Sequence, residues 1–334
     1  MTASLVVQTS FLGDMVLTTP LIALLAGEGP VDVLCTKAGR ELLANNPAVR
    51  DIIVYDKRGA DRGPGGFQRV ARELRLRSYR TAYHAQGSVR SGALTFAAGI
   101  RDRVGFATSA GRLFYTTRIP PIDNVHHAAR LLSLGTRDPA RAAAESEIRP
   151  HLYPGIIERA RVDEVLRQAA AGAQIVALAP GSVWATKRWP YYPELARELS
   201  RLGQVVIVGG DADRELALDI VGATKGQAID TTGQLSLLAS ADLIGRAAVL
   251  VTNDSAPLHL ASAMNTPTVA VFGPTVPEFG FGPLAAASRI AGNASLACRP
   301  CDKHGPQRCP LGHWRCMREI TPDVVAALVR ELTG

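Results

Sequence analysis

The sequence predicts an α/β fold in which two doubly wound domains face each other across a cleft. Apolar, strand-like runs alternate with helix-like stretches, and this βαβα alternation favours parallel sheets covered by helices. The alternation occurs twice in a chain of 334 residues, which exceeds the length that one hydrophobic core usually supports. We therefore predict two Rossmann-like domains, at residues 1–172 and 173–334.

The elements follow one another regularly. In the first half, strand-like runs occupy 5–9, 31–36, 51–55 and 81–86, and helix-like stretches occupy 15–26, 38–44, 67–77 and 88–98. In the second half, strand-like runs occupy 174–179, 204–208, 227–231, 248–252 and 267–272, and helix-like stretches occupy 191–202, 212–222, 235–246 and 256–265. The helix-like stretch 155–171 bridges the halves, and the last helix, 322–332, could pack on either domain. Neither half has GxGxxG after its first strand, which argues against a nicotinamide or flavin site.

Composition favours a globular enzyme that binds anions. Apolar residues make up 47% and charged residues 20% of the chain, as in ordinary soluble proteins. No apolar run approaches the roughly 20 residues of a transmembrane helix. The first strand-like run, LVVQTS, has none of the features of a signal peptide, so we expect a cytoplasmic protein. The net charge of +7 attracts anions without choosing among them.

A basic run at residues 57–80 carries eight Lys or Arg against two acids. Phe67, Val70, Ala71 and Leu74 have helical apolar spacing within it. One interpretation is a solvated helix with a packed face. The other is a basic surface in peripheral contact with the anionic headgroups of the inner membrane.

The segment 252–274 is the most informative part of the chain. Its first strand ends in Thr252-Asn253-Asp254-Ser255, three of whose side chains are good helix caps, and Pro257 suits the first helical turn. His259 lies one turn further along. A strand that leads into a helix directs free N–H groups and a positive dipole end to one point, which suits a phosphate or diphosphate. The alternative is an ordinary βαβ unit with a capped helix.

The end of the first predicted strand carries a second set of candidate residues. Ser10, Gly13, Asp14 and Thr18 lie between that strand and the following helix. Gly13 allows a tight turn, and Asp14 falls at the helix start. Ligands of open α/β sheets bind beyond the carboxyl ends of the strands, so Asp14 is expected to face the cleft. Its alternative role is that of a helix cap.

A loop between two tryptophans opens the second half. Ser182 ends a strand there, and Thr186, Lys187 and Arg188 follow it. Lys187 or Arg188 could neutralise a leaving diphosphate, because that role needs a fixed cation beside developing negative charge. Asp211 follows the next strand in a DxD pattern. We interpret it as an acceptor for ribose hydroxyls or a helix cap, and not as a metal ligand.

Four motifs in this order resemble one known family. SFLGDMVLTTP, PGSVWATKRWP, TNDSAPLHLA and VAVFGPTVPEFGFGP are similar to the ADP-heptose:lipopolysaccharide heptosyltransferases of glycosyltransferase family 9. The resemblance runs from Leu5 to about Ile320, and ATKRWP with the Cys-rich tail looks more like the heptosyltransferase II branch. It implies a GT-B fold and inverting, metal-independent transfer of heptose from ADP-heptose to an inner-core acceptor of the Kdo-lipid A type. No cofactor is implied.

The resemblance also implies roles for particular residues. Asp14 matches the proposed general base, with Ser10, Gly13 and Thr18 on the acceptor side. Lys187 matches the diphosphate-binding lysine. The donor-side residues are Ser182, Thr186, Lys187, Arg188, Asp211, Asp254, Ser255, Ala256 and His259. Many relatives have Gly where this chain has Ala256, whose methyl group could restrict the approach of the backbone to the diphosphate.

The cysteines cluster near the end of the chain. Cys298, Cys301, Cys309 and Cys316 have the spacing C-x2-C-x7-C-x6-C. In a cytosolic chain, clustered cysteines favour metal over disulfides, and this spacing could close a tetrahedral structural zinc site. The alternative is reduced thiols that pack the core or line the donor site, since cysteines in this tail recur in the resembling family.

Two other classes of function remain open on the sequence. A nucleotide-sugar-modifying enzyme, such as a non-hydrolysing epimerase, would share the fold and the anion sites, and it would act without a lipid acceptor. A basic nucleic-acid-binding protein would explain the charge and the cysteines. The aromatic content of 5% and the lack of a recognition motif argue against nucleic acid.

Overall fold

A computed structural model describes residues 3–334, which form two compact units. The first ends at Tyr153 and the second begins at Pro154. We predicted a boundary at residue 172, after the bridging helix. In the structure that helix, Ile156–Leu166, packs on another helix of the second unit, so the division precedes it.

The first unit alternates strands and helices from its start. Its strands are β1 (Ser4–Gln8), β2 (Val31–Cys35), β3 (Asp51–Val54), β4 (Thr81–His84), β5 (Asp102–Phe106) and β6 (Thr117–Ile119). Its helices are α1 (Leu12–Ala26), α2 (Lys37–Leu43), α3 (Pro64–Leu76), α4 (Val89–Ala97), α5 (His127–Thr136) and α6 (Glu145–Ile148), with a 3-10 turn at Arg112–Phe114.

All six strands of this unit pair in parallel, in the order β3-β2-β1-β4-β5-β6. The central strands are buried on both faces, which is why they appear in the sequence as continuous apolar runs. The order reverses between β1 and β4. At this switch point, crossovers leave towards opposite edges of the sheet and open a crevice at the carboxyl ends of the strands.

The second unit repeats the pattern. Its strands are β7 (Ile175–Ala179), β8 (Gln204–Ile207), β9 (Ile229–Asp230), β10 (Val249–Asn253), β11 (Thr268–Phe272) and β12 (Ser288–Gly292). Its helices are α7 (Ile156–Leu166), α8 (Tyr192–Leu199), α9 (Arg214–Ala223), α10 (Leu237–Arg246), α11 (Ala256–Met264), α12 (Arg315–Arg318) and α13 (Pro322–Thr333). Short 3-10 turns lie at Ala185–Lys187, Asp211–Asp213 and Pro277–Phe279.

The second sheet has the same topology as the first. Its six parallel strands are ordered β12-β11-β10-β7-β8-β9, so the switch point lies between β7 and β10. The core on one face joins the apolar side of α8 to α13 and the strands beneath them. The last helix therefore packs on the second unit. The predicted α/β class with two doubly wound domains is confirmed by these two sheets.

Six of these strands and helices were missing from the sequence prediction: β5, β6, β12, α5, α6 and α12. The strand β5 begins with Asp102-Arg103 and contains a glycine, β6 has three residues, and β12 is an edge strand with exposed positions. Such strands lack the long apolar run that identified the others. Within residues 3–334, no helix combines the length and the apolar character that a membrane crossing requires.

Candidate functional site

Asp14 lies at the switch point of the first sheet, in the first turn of α1. Its Oδ2 is 2.5 Å from the Ser10 hydroxyl oxygen, which also lies 2.9 Å from the Gln8 side-chain oxygen. A hydroxyl has one proton, so Ser10 can donate to only one of these acceptors at a time. The carboxylate also benefits from the positive end of the helix dipole. Asp14 is thus held in place by a single hydroxyl and is only partly buried.

The backbone below Asp14 is braced by buried polar side chains. The Thr18 hydroxyl donates to the Asp14 carbonyl oxygen at 2.6 Å and accepts from the Gln8 amide at 3.1 Å. Thr18 is therefore one turn behind the acid and supports it indirectly. Gly13 lies within α1 instead of forming the tight turn that we predicted; the extended residue Phe11 makes the bend into the helix.

A cationic cavity of about 430 Å³ opens beside Ser10, at the carboxyl ends of the neighbouring strands. Lys57 donates to the Thr9 hydroxyl at 3.2 Å, and Lys37 pairs with Asp56 at 2.8 Å. Burial and the nearby Arg58 and Arg90 lower the pKa of Lys57 below its ordinary value. The lining residues are Thr9, Ser10, Phe11, Thr36, Lys37, Ala38, Tyr55, Asp56, Lys57, Arg58 and Gln86. The cavity is suited to an anionic ligand.

The switch point of the second sheet holds a buried ion pair. Lys187 Nζ donates to Asp254 Oδ2 at 2.6 Å, and the Thr275 hydroxyl donates to the same oxygen at 2.6 Å. Lys187 and Asp254 are both less than 10% exposed as residues. An ammonium has three donors, so Lys187 keeps two N–H groups beyond its bond to Asp254. The pair therefore presents a fixed cation at the carboxyl ends of β7 and β10.

The start of α11 lacks the side-chain caps that we predicted. Ser255 occupies the N-cap position without a capping bond, and its hydroxyl is buried with no hydrogen-bond partner among the described residues. The Asp254 carboxylate accepts a hydrogen bond from Lys187. Asn253 donates to the Pro180 carbonyl oxygen at 2.7 Å and joins β10 to the loop after β7. The first turn of α11 contains no acid, so its positive dipole end is not neutralised locally.

The loop that carries Lys187 is fixed from both sides. The Thr186 hydroxyl donates to the Pro306 carbonyl oxygen, and Trp189 donates through its indole N–H to the Ile320 carbonyl oxygen at 2.8 Å. Trp189 is buried in the core of the second unit, while Trp184 stacks on His304 at 6.2 Å. The two tryptophans therefore differ: one is a core residue and the other covers the loop.

The remaining donor-side candidates differ in their burial and in their contacts. Ser182 is buried, and its carbonyl oxygen accepts from Arg188 Nε at 2.8 Å, so Arg188 folds back on the loop. His259 is buried one turn into α11, near the ring of Phe281. Asp211 is exposed and pairs with Arg214 at 2.9 Å. Its assignment to the donor stays a prediction.

Two residues of these sites were missed from the sequence. Thr275 follows β11, and its hydroxyl donates a hydrogen bond to Asp254. Lys57 follows β3, and its ammonium donates a hydrogen bond to the Thr9 hydroxyl. Both could have been found by asking which polar residues follow the strands next to the switch point. In the basic run, Phe67, Val70, Ala71 and Leu74 form the packed face that we predicted for α3.

The four clustered cysteines line one cavity of about 220 Å³ together with His313. All five cysteines of the chain are free thiols. In residues 3–334 no three His, Cys, Asp or Glu side chains already surround one point as metal ligands would.

Comparison with known proteins identifies the family. The sequence model of glycosyltransferase family 9 (heptosyltransferase) matches residues 67–313. Lipopolysaccharide heptosyltransferase 2 of Escherichia coli is 29% identical over 82% of this chain and 84% of its own length. Lipooligosaccharide heptosyltransferase 2 of Haemophilus influenzae is 27% identical over 98% of both chains. The structure of E. coli ADP-heptose lps heptosyltransferase II superposes with a TM-score of 0.80 at 25% identity, covering 100% of this chain and 98% of that one. The chain belongs to glycosyltransferase family 9, the heptosyltransferases.

Proposed function

We propose that this protein transfers heptose from ADP-heptose to an inner-core lipopolysaccharide acceptor, as a heptosyltransferase of the II type. The observation that carries the proposal is the similarity to curated heptosyltransferases 2 over most of the chain. The two switch points support it, since one presents a carboxylate and the other a cation beside an uncapped helix start.

The proposed reaction is a single displacement with inversion. An acceptor hydroxyl attacks the anomeric carbon of the heptose, its proton passes to the Asp14 carboxylate, and the bond to the diphosphate breaks to release ADP. A sugar hydroxyl is a weak nucleophile, so a carboxylate within hydrogen-bond reach lowers the barrier. Lys187 and the N–H groups at the start of α11 stabilise the charge that develops on the diphosphate. These groups would supply that stabilisation without a metal ion.

The cationic cavity beside Ser10 is a candidate binding site for the acceptor. Inner-core acceptors of the Kdo-lipid A type carry carboxylates and phosphates, and Lys57 is a partly buried cation without a carboxylate partner among the described residues. An acidic group bound there would bring the neighbouring hydroxyls near Asp14, because Ser10 lines the cavity and contacts Asp14. We propose that this cavity binds the acidic part of the acceptor.

The direct test is transfer from ADP-heptose to purified inner-core acceptors, with and without EDTA. We expect ADP release together with a gain of one heptose in acceptor mass, unchanged by EDTA. ADP release without a mass gain on any acceptor would contradict transfer. Conversion of ADP-heptose without any acceptor would point to a sugar-modifying enzyme instead.

We further propose that the first unit contacts the cytoplasmic face of an anionic inner membrane. Leu76, Phe96 and Leu113 are 80%, 59% and 78% exposed, respectively. Arg75 donates to the Ala97 carbonyl oxygen, and Phe96 packs on Phe114, so α3, α4 and the following 3-10 turn form one surface. Exposed apolar side chains among arginines suit a surface of anionic headgroups.

Vesicle sedimentation tests this contact. We expect binding to vesicles that contain phosphatidylglycerol, weaker binding to phosphatidylcholine alone, and a loss in the variant Phe96→Ser with Leu113→Ser. Ile156 is a matched control, since it is 86% exposed but lies in the second unit, so Ile156→Ser should bind normally. Equal binding by all variants, or tighter binding to an oligonucleotide than to anionic vesicles, would contradict the proposal.

A further inference from the structure

The turn after β11 brings the VAVFGPTVPEFGFGP motif to the buried ion pair of the second unit. Thr275 lies in this turn and is 1% exposed, and its hydroxyl oxygen is 2.6 Å from Asp254 Oδ2. An ionised carboxylate only accepts hydrogen bonds, so the hydroxyl must donate this one. Thr275 therefore links the motif to the pair of Lys187 and Asp254.

Thr275 and Lys187 donate to the same oxygen of Asp254. Lys187 Nζ lies 2.6 Å from Oδ2, and an ammonium can only donate. This ammonium stands at the end of a flexible four-carbon chain, so its position follows that of the carboxylate that it binds. The bond from Thr275 holds that carboxylate against rotation about its side-chain torsions. Thr275 thus fixes the position of Lys187 through Asp254.

The turn that carries Thr275 is itself anchored through its backbone. Arg299 donates to the carbonyl oxygens of Phe272 and Thr275, each at 2.9 Å. The Cys301 N–H donates to the Pro274 carbonyl oxygen at 2.9 Å. These bonds come from outside the turn and fix its backbone, so the Thr275 hydroxyl has its direction before any ligand binds. Such preorganisation lowers the cost of binding.

We propose that Thr275 is a positioning residue for the diphosphate of ADP-heptose, acting on Lys187 through Asp254. This role rests on the proposed function, in which Lys187 binds the diphosphate. The hydrogen bond from Thr275 also takes up part of the negative charge of Asp254, so more of the positive charge of Lys187 is available to the ligand. Loss of the hydroxyl should weaken the binding of a diphosphate and spare that of an uncharged nucleoside.

The substitution Thr275→Val tests this role, because it removes the hydroxyl and keeps the branched shape of the side chain. Without its second bond, the Asp254 carboxylate can turn and carry the Lys187 ammonium with it. At an effective dielectric constant of about 20, moving a unit charge from about 4 to about 5 Å from its partner weakens binding about fourfold. Calorimetric titration should accordingly show that Thr275→Val binds ADP about fourfold more weakly than wild type does.

Two variants serve as controls. Thr275→Ser keeps the hydroxyl, and it should bind ADP as wild type does. Thr268→Val makes the same change at the first residue of β11, where the buried Thr268 hydroxyl donates to the Thr266 carbonyl oxygen at 2.7 Å. This variant also loses a buried hydrogen bond, but at the amino end of the strand, so its ADP affinity should be normal.

Adenosine distinguishes the positioning of a cation from a general distortion of the site. It carries no phosphate, so its affinity, measured by displacement of bound ADP, should be the same in wild type and Thr275→Val. Equal losses of affinity for ADP and adenosine would overturn the proposal. So would an ADP affinity of Thr275→Val equal to that of Thr268→Val, or a loss that Thr275→Ser does not restore.

The same proteins separate the role of Thr275 from the proposed function. Wild-type protein that transfers heptose, together with a Thr275→Val variant that binds ADP normally, would overturn the role of Thr275 alone. Wild-type protein that binds no ADP and transfers no heptose would overturn the proposed function, and the role of Thr275 with it.

Discussion

The two sheets share one strand order, yet the helices that begin at their switch points have opposite electrostatic character. The first turn of α1 carries Asp14, whereas the first turn of α11 carries no acid. Lys187 lies beside the start of α11 with two donors left after its bond to Asp254. Topology therefore gives both units a crevice, and the charged residues at the helix start decide what each crevice can bind.

We propose that this difference gives each unit its own task. A carboxylate at a helix start repels a diphosphate but can accept a proton, so the first unit suits the acceptor. An uncapped helix start with a fixed cation favours a diphosphate, so the second unit suits the donor. Substitutions at the two switch points should accordingly affect different steps.

Asp14→Asn should have the largest effect on the rate. The amide keeps the shape of the side chain but cannot accept the acceptor proton, so the single-turnover rate should fall by about 10²-fold or more. Ser10→Ala is the control that removes the hydrogen bond and keeps the carboxylate. Its rate should fall by less than that of Asp14→Asn, since the carboxylate that accepts the proton is kept. A normal rate in Asp14→Asn would show that Asp14 is not the general base.

Lys187→Met should have a large effect on the stability of the second unit. It leaves the Asp254 carboxylate buried without its cation, which costs about 3 kcal/mol or more. Adding Asp254→Asn removes the orphaned charge and should restore most of that loss. Urea unfolding followed by tryptophan fluorescence measures it, because all three tryptophans lie in the second unit. Equal stability of the single variant and wild type would mean that the ion pair is not formed in solution.

The sequence was sufficient for the parts of these sites that lie in local motifs. Asp14, Lys187 and Asp254 each follow a strongly apolar strand, so their position at the carboxyl edge could be predicted. Their partners could not, since the contact between Thr275 and Asp254 depends on how β11 lies beside β10. The same limit explains why the predicted caps of α11 are absent. Asp254 is instead bonded to Lys187, and Asn253 is bonded to the loop after β7. Strand β12 was missed because an exposed edge strand does not require apolar side chains.

Acid should destabilise the first unit through His84. Burial, with a smaller contribution from Arg103, lowers the pKa of His84 from 6.5 to about 3. The unfolded chain takes up a proton below about pH 6.5 that the folded unit refuses, so stability is complete above that pH and falls towards pH 3. Between pH 7.5 and 5.5 this amounts to about 1.4 kcal/mol.

The variant His84→Gln, which cannot bind that proton, tests this pH dependence. Urea unfolding followed by circular dichroism at the two pH values should show a smaller loss in the variant than in wild type. The tryptophan signal, which reports the second unit, should not differ between them. The same pH dependence in both proteins would assign the acid sensitivity to other groups.

The separation of tasks is tested most directly by calorimetric titration of ADP-heptose into three proteins: wild type, Asp14→Asn, and Lys187→Met with Asp254→Asn. We expect Asp14→Asn to bind the donor as wild type does. The Lys187→Met protein with Asp254→Asn should bind it at least about tenfold more weakly, since a charge-assisted hydrogen bond contributes about 1.5 to 3 kcal/mol. Weakened binding in Asp14→Asn with normal binding in the other variant would place the donor on the first unit and contradict this separation of tasks.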